Sequence, residues 1–440
     1  MIGIGLDITR AGQTVSFSLE NLRVGTRVVQ DLTFDPSRLF SDVAGTTLIA
    51  GPGAEVAAQK DARGVIVRIQ PTLAARPKYA IEPASGVRNQ ANGAAAVGDA
   101  SWFDTVTNNG ITATKQASGI TADGNAWARY QISGTSTAVA TAQLYNSALA
   151  RTPAASGQSW TTSALCRIES GASGDAGSGL RVFVSEETAP STGVAGDASS
   201  IYKGATLTAL TVTRAMTTGN QMRGGFDFRV SSGQTVDCIV YVEALQFELG
   251  MARTAWQANV SEFDVTEPGV RSVHALAYDR VDDWMQLSTA FQPAGNYTLA
   301  MGHTHRDGEV TYIFGHSTSF GMSMLRAGAG MLSMRSNFTD NQSMFSSTVA
   351  GRAVAIARVT GTGLADAYMN GFGPLAGTLT GVMTPPNAAG INATGRRVNS
   401  FDAPRREYGG VLIDPGNTPV TNEEIALMLR LLAHNEGITL

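Results

Sequence analysis

Trp127, Arg129 and Gln131 take alternate positions in the stretch WARYQI, so a strand there puts all three on one face. Ala128, Tyr130 and Ile132 then fall on the other. An aromatic ring stacks on the C–H groups of a sugar, and planar polar side chains beside it hydrogen-bond the hydroxyls. These residues are therefore a candidate carbohydrate-binding surface. The stretch AQLYNS repeats the spacing with Gln143 and Tyr145, which would widen the surface into a shallow groove. A competing reading makes Trp127 a core residue and Arg129 a merely solvated one.

Other reactive residue types give weaker patterns. His303, His305 and His316 share one face if NYTLAMGHTHRDGEVTYIFGHS is a hairpin turning at Asp307-Gly308. In that register His316 lies more than roughly 10 Å along the strand from His305, too far for a shared zinc ion, so no metal ligand is assigned. Asp282 and Asp283 beside Trp284 lack the spacing of a calcium loop and fit a solvated turn. No cofactor is expected, and structural calcium is left as an alternative. The fragment TADGNAW resembles a sialidase Asp-box but occurs once and without the required spacing. No nucleophile elbow, HExxH, phosphate loop or carboxylate pair is present, and no catalytic residue is assigned. The two cysteines, Cys166 and Cys238, sit in alternating β-type patterns and read as buried thiols, with a disulfide between them as the alternative.

The elements that must position these residues are short strands. The chain has 440 residues, 49 glycines, only 15% charged residues and a net charge of −4. That length implies more than one domain, and the composition favours strands and turns over helix or disorder. Scattered Lys and Arg in an acidic chain exclude a nucleic-acid partner, and no apolar run reaches bilayer length. The start MIGIGLDITRAG lacks the features of a secretory signal. Strand candidates from WARYQIS to VDCIVYVEALQFEL, separated by Gly/Ser/Asn/Asp loops, predict an antiparallel sandwich over residues 86–246. One helix closes the chain: Thr421 and Glu424 form a capping box, Ile425, Met428, Leu429 and Leu432 an apolar stripe, and Gly437 a C-terminal stop.

Three segments carry a family resemblance. The runs DPSRLFSDVAGTTLIAGPGAEVAAQKDARG, VRSVHALAYDRVDDWMQL and EYGGVLID with TNEEIALMLRLLAHNEGITL resemble a concanavalin-A-like (laminin-G-like) lectin domain of phage structural proteins. Arg280 stands where that family has a glycine. Between them, RNQANGAAAVGDASWFDTVTNNGITATK through FELGMARTAWQ is similar to a carbohydrate-binding-module-like jelly roll. The resemblance implies an all-β chain of two β-sandwiches, with the jelly roll, 86–262, inserted into a lectin domain split into 35–85 and 263–440. Residues 1–34 are left as a segment for particle attachment and oligomerisation, because Val15, Phe17, Leu19, Leu22 and Val24 precede any recognisable domain.

The function this implies is that of a tail-fibre or head-spike adhesin of a tailed phage or gene-transfer-agent-like particle. It would bind host capsular polysaccharide without catalysis, sit on the virion surface after assembly in the host cytoplasm, and form a homo-oligomer contacting other virion proteins. The resemblance adds Tyr368 and Asn370, which flank a turn of the lectin-like domain, to the candidate sugar-binding residues. The alternatives are a structural spike or collar component that binds no glycan, and a capsule-degrading enzyme.

Overall fold

A computed structural model describes residues 6–10, 13–17, 19–23, 27–96, 101–172, 178–189, 192–279, 281–293, 296–305, 311–315, 323–327, 331–335, 342–346, 351–360, 364–369, 372–376, 391–394, 406–416 and 418–438. The fold is all-β with one C-terminal α-helix among the described residues. The chain divides into two compact units, residues 1–84 with 273–440, and residues 85–272. The second division thus lies at 272/273, where the sequence reading draws it at 262/263, so that the hairpin of Ala258–Ser261 with Asp264–Thr266 falls within the residues of the inner unit.

The unit 85–272 packs two antiparallel sheets around one core. The six-stranded sheet runs, in spatial order, Thr208–Ala215, Ser159–Ala172, Thr235–Leu249, Ala126–Thr135, Ile111–Ile120 and Thr105–Asn108. The five-stranded sheet places Ala140–Gln143 and Arg151–Pro153 on Gln221–Val230, followed by Gly179–Ala189 and Thr192–Ile201. Alternation decides which side chains meet between them. Ala126, Ala128, Tyr130 and Ile132 are buried against Val236, Cys238, Val240 and Val242 of the neighbouring strand and against Phe226 and Phe228 of the opposite sheet. Cys166 and Cys238 are both free and buried. Cys166 stands opposite Val242, and Cys238 opposite Gly171. Burial pushes the Cys238 thiol up to about 12, so it stays protonated and behaves as a small apolar group.

The other unit also has two sheets, but one of them is covered on both faces. That sheet contains Lys78–Pro83, Ser272–Ala277, Arg406–Asp414, Tyr297–His305, Gly351–Thr360, Leu364–Met369 and Phe372–Ala376 in spatial order. The facing sheet runs from Gln342–Ser346 through Thr311–Gly315, Ile391–Thr394, Met285–Phe291 and Ile66–Ile69 to Leu39–Phe40. Leu299, Met301, Ile313, Phe314 and Leu412 fill the space between the sheets. On the outer side, Ala300, Ile356, Val411 and Tyr368 pack under the helix Asn422–Glu436 through Ile425, Met428, Leu429 and Leu432. Thr421 accepts from the Glu424 N–H, Glu424 accepts from the Thr421 N–H, and Gly437 takes the left-handed conformation that ends the helix.

Two expectations are corrected here. Tyr297–His305 and Thr311–Gly315 are not a hairpin: the first pairs with Gly351–Thr360 and Arg406–Asp414, the second with Ser323–Ala327 and Ile391–Thr394 in the other sheet. The strand 297–305 is apolar on both faces, so it is central and takes both partners from distant chain. The Asp307-Gly308 dipeptide and His316 lie outside the described residues, and His303 is buried in its strand. The segment 1–34 is also not wholly free of a domain. Leu19, Leu22 and Val29 join the core under the helix, and Val28–Asp31 pairs with Arg406–Asp414. Arg27 donates to the Pro419 and Thr418 carbonyls and pairs with Glu424 at 2.5 Å. These apolar positions therefore find cover on their own chain. The side chains of Val15, Phe17 and Val24 lie outside the described residues.

Candidate functional site

The outer face of the six-stranded sheet carries the candidate site. In register, Trp127 stands opposite Glu243, Arg129 opposite Tyr241 and Gln131 opposite Ile239 on one neighbour. On the next strand, Arg167 stands opposite Tyr241. Trp127 is half-buried on this face, not in the core. Its indole lies over Gly119 of the adjoining strand, where a Cβ would come within 3.3 Å of the ring. A side chain at 119 would make the ring give way by a few tenths of an ångström.

The rings of Trp127 and Tyr241 stack with centroids 5.4 Å apart and planes 22° from parallel. The Arg167 guanidinium lies 4.5 Å from the centre of Tyr241. Charged side chains border this stack. Glu169 pairs with Arg129 at 2.6 Å and with Arg167 at 2.7 Å. Glu243 accepts from the Tyr241 hydroxyl at 2.9 Å and from Asn125 Nδ2 at 2.6 Å, and Gln131 Nε2 donates to Asp237 at 2.6 Å. Burial, with the bond to Glu243 adding to it, raises the Tyr241 pKa, so the phenol keeps its proton as a donor. The result is an aromatic strip of two stacked rings, with the Arg167 guanidinium over one of them and carboxylate and amide groups fixed around it. Such a strip can stack on an apolar sugar face and hydrogen-bond hydroxyls around it.

The remaining sequence candidates lie elsewhere. Gln143 is on the five-stranded sheet, opposite Asp227, and its amide donates to Ser147 Oγ at 3.2 Å. Tyr145 is fully buried: its hydroxyl donates to the Asn92 carbonyl at 2.6 Å and its ring packs on Trp102 and Phe226. The strand ends at Gln143, so alternation stops and Leu144 and Tyr145 both turn inward. Tyr145 therefore cannot present a ring to a ligand. Tyr368 is likewise core, because the C-terminal helix covers its face of the sheet. Asn370 lies outside the described residues. Tyr241, Arg167, Glu169 and Glu243 are the residues sequence reasoning missed. For Tyr241 and Glu243 the signal was the alternation in VDCIVYVEALQFEL, where Asp237, Ile239, Tyr241 and Glu243 interleave with buried Cys238, Val240 and Val242, and for Arg167 and Glu169 it was the run CRIE, where they alternate with buried Cys166 and Ile168.

Two other polar groupings hold structure together. Gln246, Glu248, Thr254 and Gln257, all within LQFELGMARTAWQ, bind one another. Glu248 accepts from the Thr254 N–H at 2.9 Å and Oγ1 at 2.6 Å, and Gln246 Oε1 accepts from the Gln257 N–H at 3.0 Å. The Gln257 side chain then accepts from the Arg88 N–H at 2.7 Å and donates to the Gly86 carbonyl at 2.8 Å. This polar clamp ties the last long strand of the unit to its first residues. In the other unit, the carboxylates of Asp279, Asp282 and Asp283 have oxygens within 4.8 Å of one another. Asp279 caps the turn by accepting from the Val281 N–H at 2.8 Å. Burial, helped by the two neighbouring carboxylates, pushes Asp283 up to about 7. Cation binding there would have to remove that proton.

No protein-family model matches the chain, and no curated protein matches it in sequence.

Proposed function

We infer that the protein binds a bacterial surface polysaccharide without chemistry, on the outer face of the six-stranded sheet, as a virion-borne adhesin. The observation that carries the binding reading is the Trp127–Tyr241 stack, flanked by Arg129, Arg167, Gln131 and Asn125 on a sheet face outside the core. The virion setting rests on the resemblance of residues 35–85 and 263–440 to phage lectin-like domains. Other virion proteins and further copies of the chain are the proposed partners. Their attachment is assigned to the hairpin Leu6–Arg10 with Gln13–Phe17, which forms its own two-stranded sheet.

The test is binding of labelled full-length protein to capsulated and acapsular cells of one strain. Binding should depend on the capsule, and Trp127→Ala and Tyr241→Ala should each weaken it up to about tenfold, the scale of one aromatic stacking contact. The stability lost on Trp127→Ala should stay near 1 kcal/mol for the same reason. Equal binding to both cell types, or variants that adsorb like the parent, would overturn the reading.

A further inference from the structure

The outer face of the six-stranded sheet continues well past the Trp127–Tyr241 stack. Along Ala126–Thr135 the side chains at 127, 129, 131 and 133 face outward, while Ala128, Tyr130 and Ile132 are buried. Ser133 lies about 20 Å along the strand from Trp127. There the face is built of hydroxyls in register across three strands. Ser133 stands opposite Thr112, and Thr112 opposite Thr107; one pair nearer the stack, Gln131 stands opposite Thr114, and Thr114 opposite Thr105. Ile111 and Ala113, which alternate with these threonines, are buried in the core, so the threonines take the outward side. Thr105, Thr107 and Thr114 are exposed, and Thr112 and Ser133 are half-buried. The Thr107 and Thr112 hydroxyls bond each other at 3.1 Å. Those of Thr105, Thr114 and Ser133 have no protein partner among the described residues.

Charge on this sheet is matched within the protein. Arg129 and Arg167 pair with Glu169, Lys115 with Asp104 at 2.6 Å and Arg214 with Asp197 at 2.7 Å, so every cation of the six strands already holds a carboxylate. Asp237 accepts from Gln131, and Glu243 from Tyr241 and Asn125. An acidic sugar would find no unpaired guanidinium or ammonium on these strands, and would meet Glu169, Glu243 and Asp237 against only Arg129 and Arg167. An uncharged sugar meets no such conflict, because each Thr or Ser hydroxyl both donates to and accepts from a sugar hydroxyl. The shape of the face sets the length of what it can hold. Beside Trp127 and Arg129 the adjoining strand carries only Gly119 and Ala117, and Thr105–Asn108 is the edge strand, with no further strand of the sheet beyond Thr105 and Thr107. A chain lying over the face can therefore run on past the edge. A single terminal sugar cannot reach both the stack and the threonines.

We propose that the ligand of this face is an uncharged linear polysaccharide held along an internal stretch of its chain, with sugar rings on Trp127 and sugar hydroxyls on Thr105, Thr107, Thr112, Thr114 and Ser133. The proposal rests on the binding reading above and adds the chemistry and the length of what is bound. The test is calorimetric titration of the full-length protein with fragments cut from the capsule of the cells it adsorbs to, separated by size. Hexasaccharides and longer fragments should bind at least about tenfold tighter than disaccharides. Their affinity should hold steady as salt rises, because no ion pair with the ligand is there to be screened. Thr112→Val and Thr114→Val, which keep the β-branched shape, should each weaken binding of the long fragments about fivefold, the scale of one hydrogen bond. Trp127→Ala should weaken fragments of every length. Equal affinity for short and long fragments, valine variants that bind the long ones like the parent, or affinity that falls with salt would each overturn the proposal, and the binding reading would still stand on the loss in Trp127→Ala. Fragments that fail to bind at any length would overturn both.

Discussion

Arg68 and Glu407 form a fully buried ion pair that joins the two sheets of the unit made by residues 1–84 and 273–440. Arg68 belongs to the strand Ile66–Ile69 and Glu407 to Arg406–Asp414 in the facing sheet. The guanidinium also donates to Gln59 at 2.9 Å and to Thr394 at 3.2 Å, and Glu407 accepts from the Tyr278 hydroxyl at 2.7 Å. Arg68→Met strands the Glu407 charge with only that hydroxyl beside it. Two charges about 4 Å apart at an effective dielectric near 20 attract by about 4 kcal/mol, which agrees with the roughly 3–5 kcal/mol lost when one member of a buried pair is removed. At about 2–4 °C per kcal/mol for a unit of this size, its melting transition should fall by roughly 6–20 °C. Differential scanning calorimetry of the whole chain reads this, because the transition of the unit 85–272 serves as an internal reference. The double variant Arg68→Met/Glu407→Leu removes both charges and should recover most of the loss. If the single variant costs less than about 1 kcal/mol, or if the two single losses add in the double variant, the pair does not carry the coupling assigned to it.

Three further outcomes follow from other residues. Gln257→Leu orphans the backbone N–H groups of Arg88 and Asn89 that its side chain accepts, so the transition of the unit 85–272 should lose at least about 2 kcal/mol while the other stays put. Gly171→Ala forces a left-handed backbone, φ +83°, and sets a Cβ 2.0 Å from the Asp237 carbonyl; urea titration should show a loss above about 1 kcal/mol in the same unit. Glu436 is buried with neither carboxylate oxygen hydrogen-bonded, against Gly302, and burial raises its pKa well above the usual range although nearby Arg352 opposes this. Its folded pKa therefore exceeds its unfolded one, so the stability tied to its protonation is complete below the ordinary glutamate value and drains away as pH rises toward the folded pKa. Glu436→Gln should accordingly gain on the parent between pH 5 and pH 8 in urea denaturation, and parallel pH slopes for the two proteins would count against a protonated Glu436.

Local pattern in the sequence was enough for the all-β class, for the common face of Trp127, Arg129 and Gln131, and for the capped helix 422–436, because each depends on residues within a few positions of one another. Period-two alternation says which side chains share a face. It does not say what lies across from that face, and this is where tertiary structure decided the outcome. Tyr241, Arg167 and Glu169 reach Trp127 and Arg129 only through strand order, since the strands Ser159–Ala172 and Thr235–Leu249 are neighbours in space and not in sequence. Tyr145 turned inward because its strand stopped two residues earlier, and Tyr368 was covered by a helix from the far end of the chain. Tyr297–His305 left its apparent hairpin partner because strands distant in sequence, Gly351–Thr360 and Arg406–Asp414, pair with both of its edges, while the facing sheet and the C-terminal helix cover its two faces. Leu19 and Leu22 looked unsheltered for the same reason: the surface that covers them is built from residues some four hundred positions later.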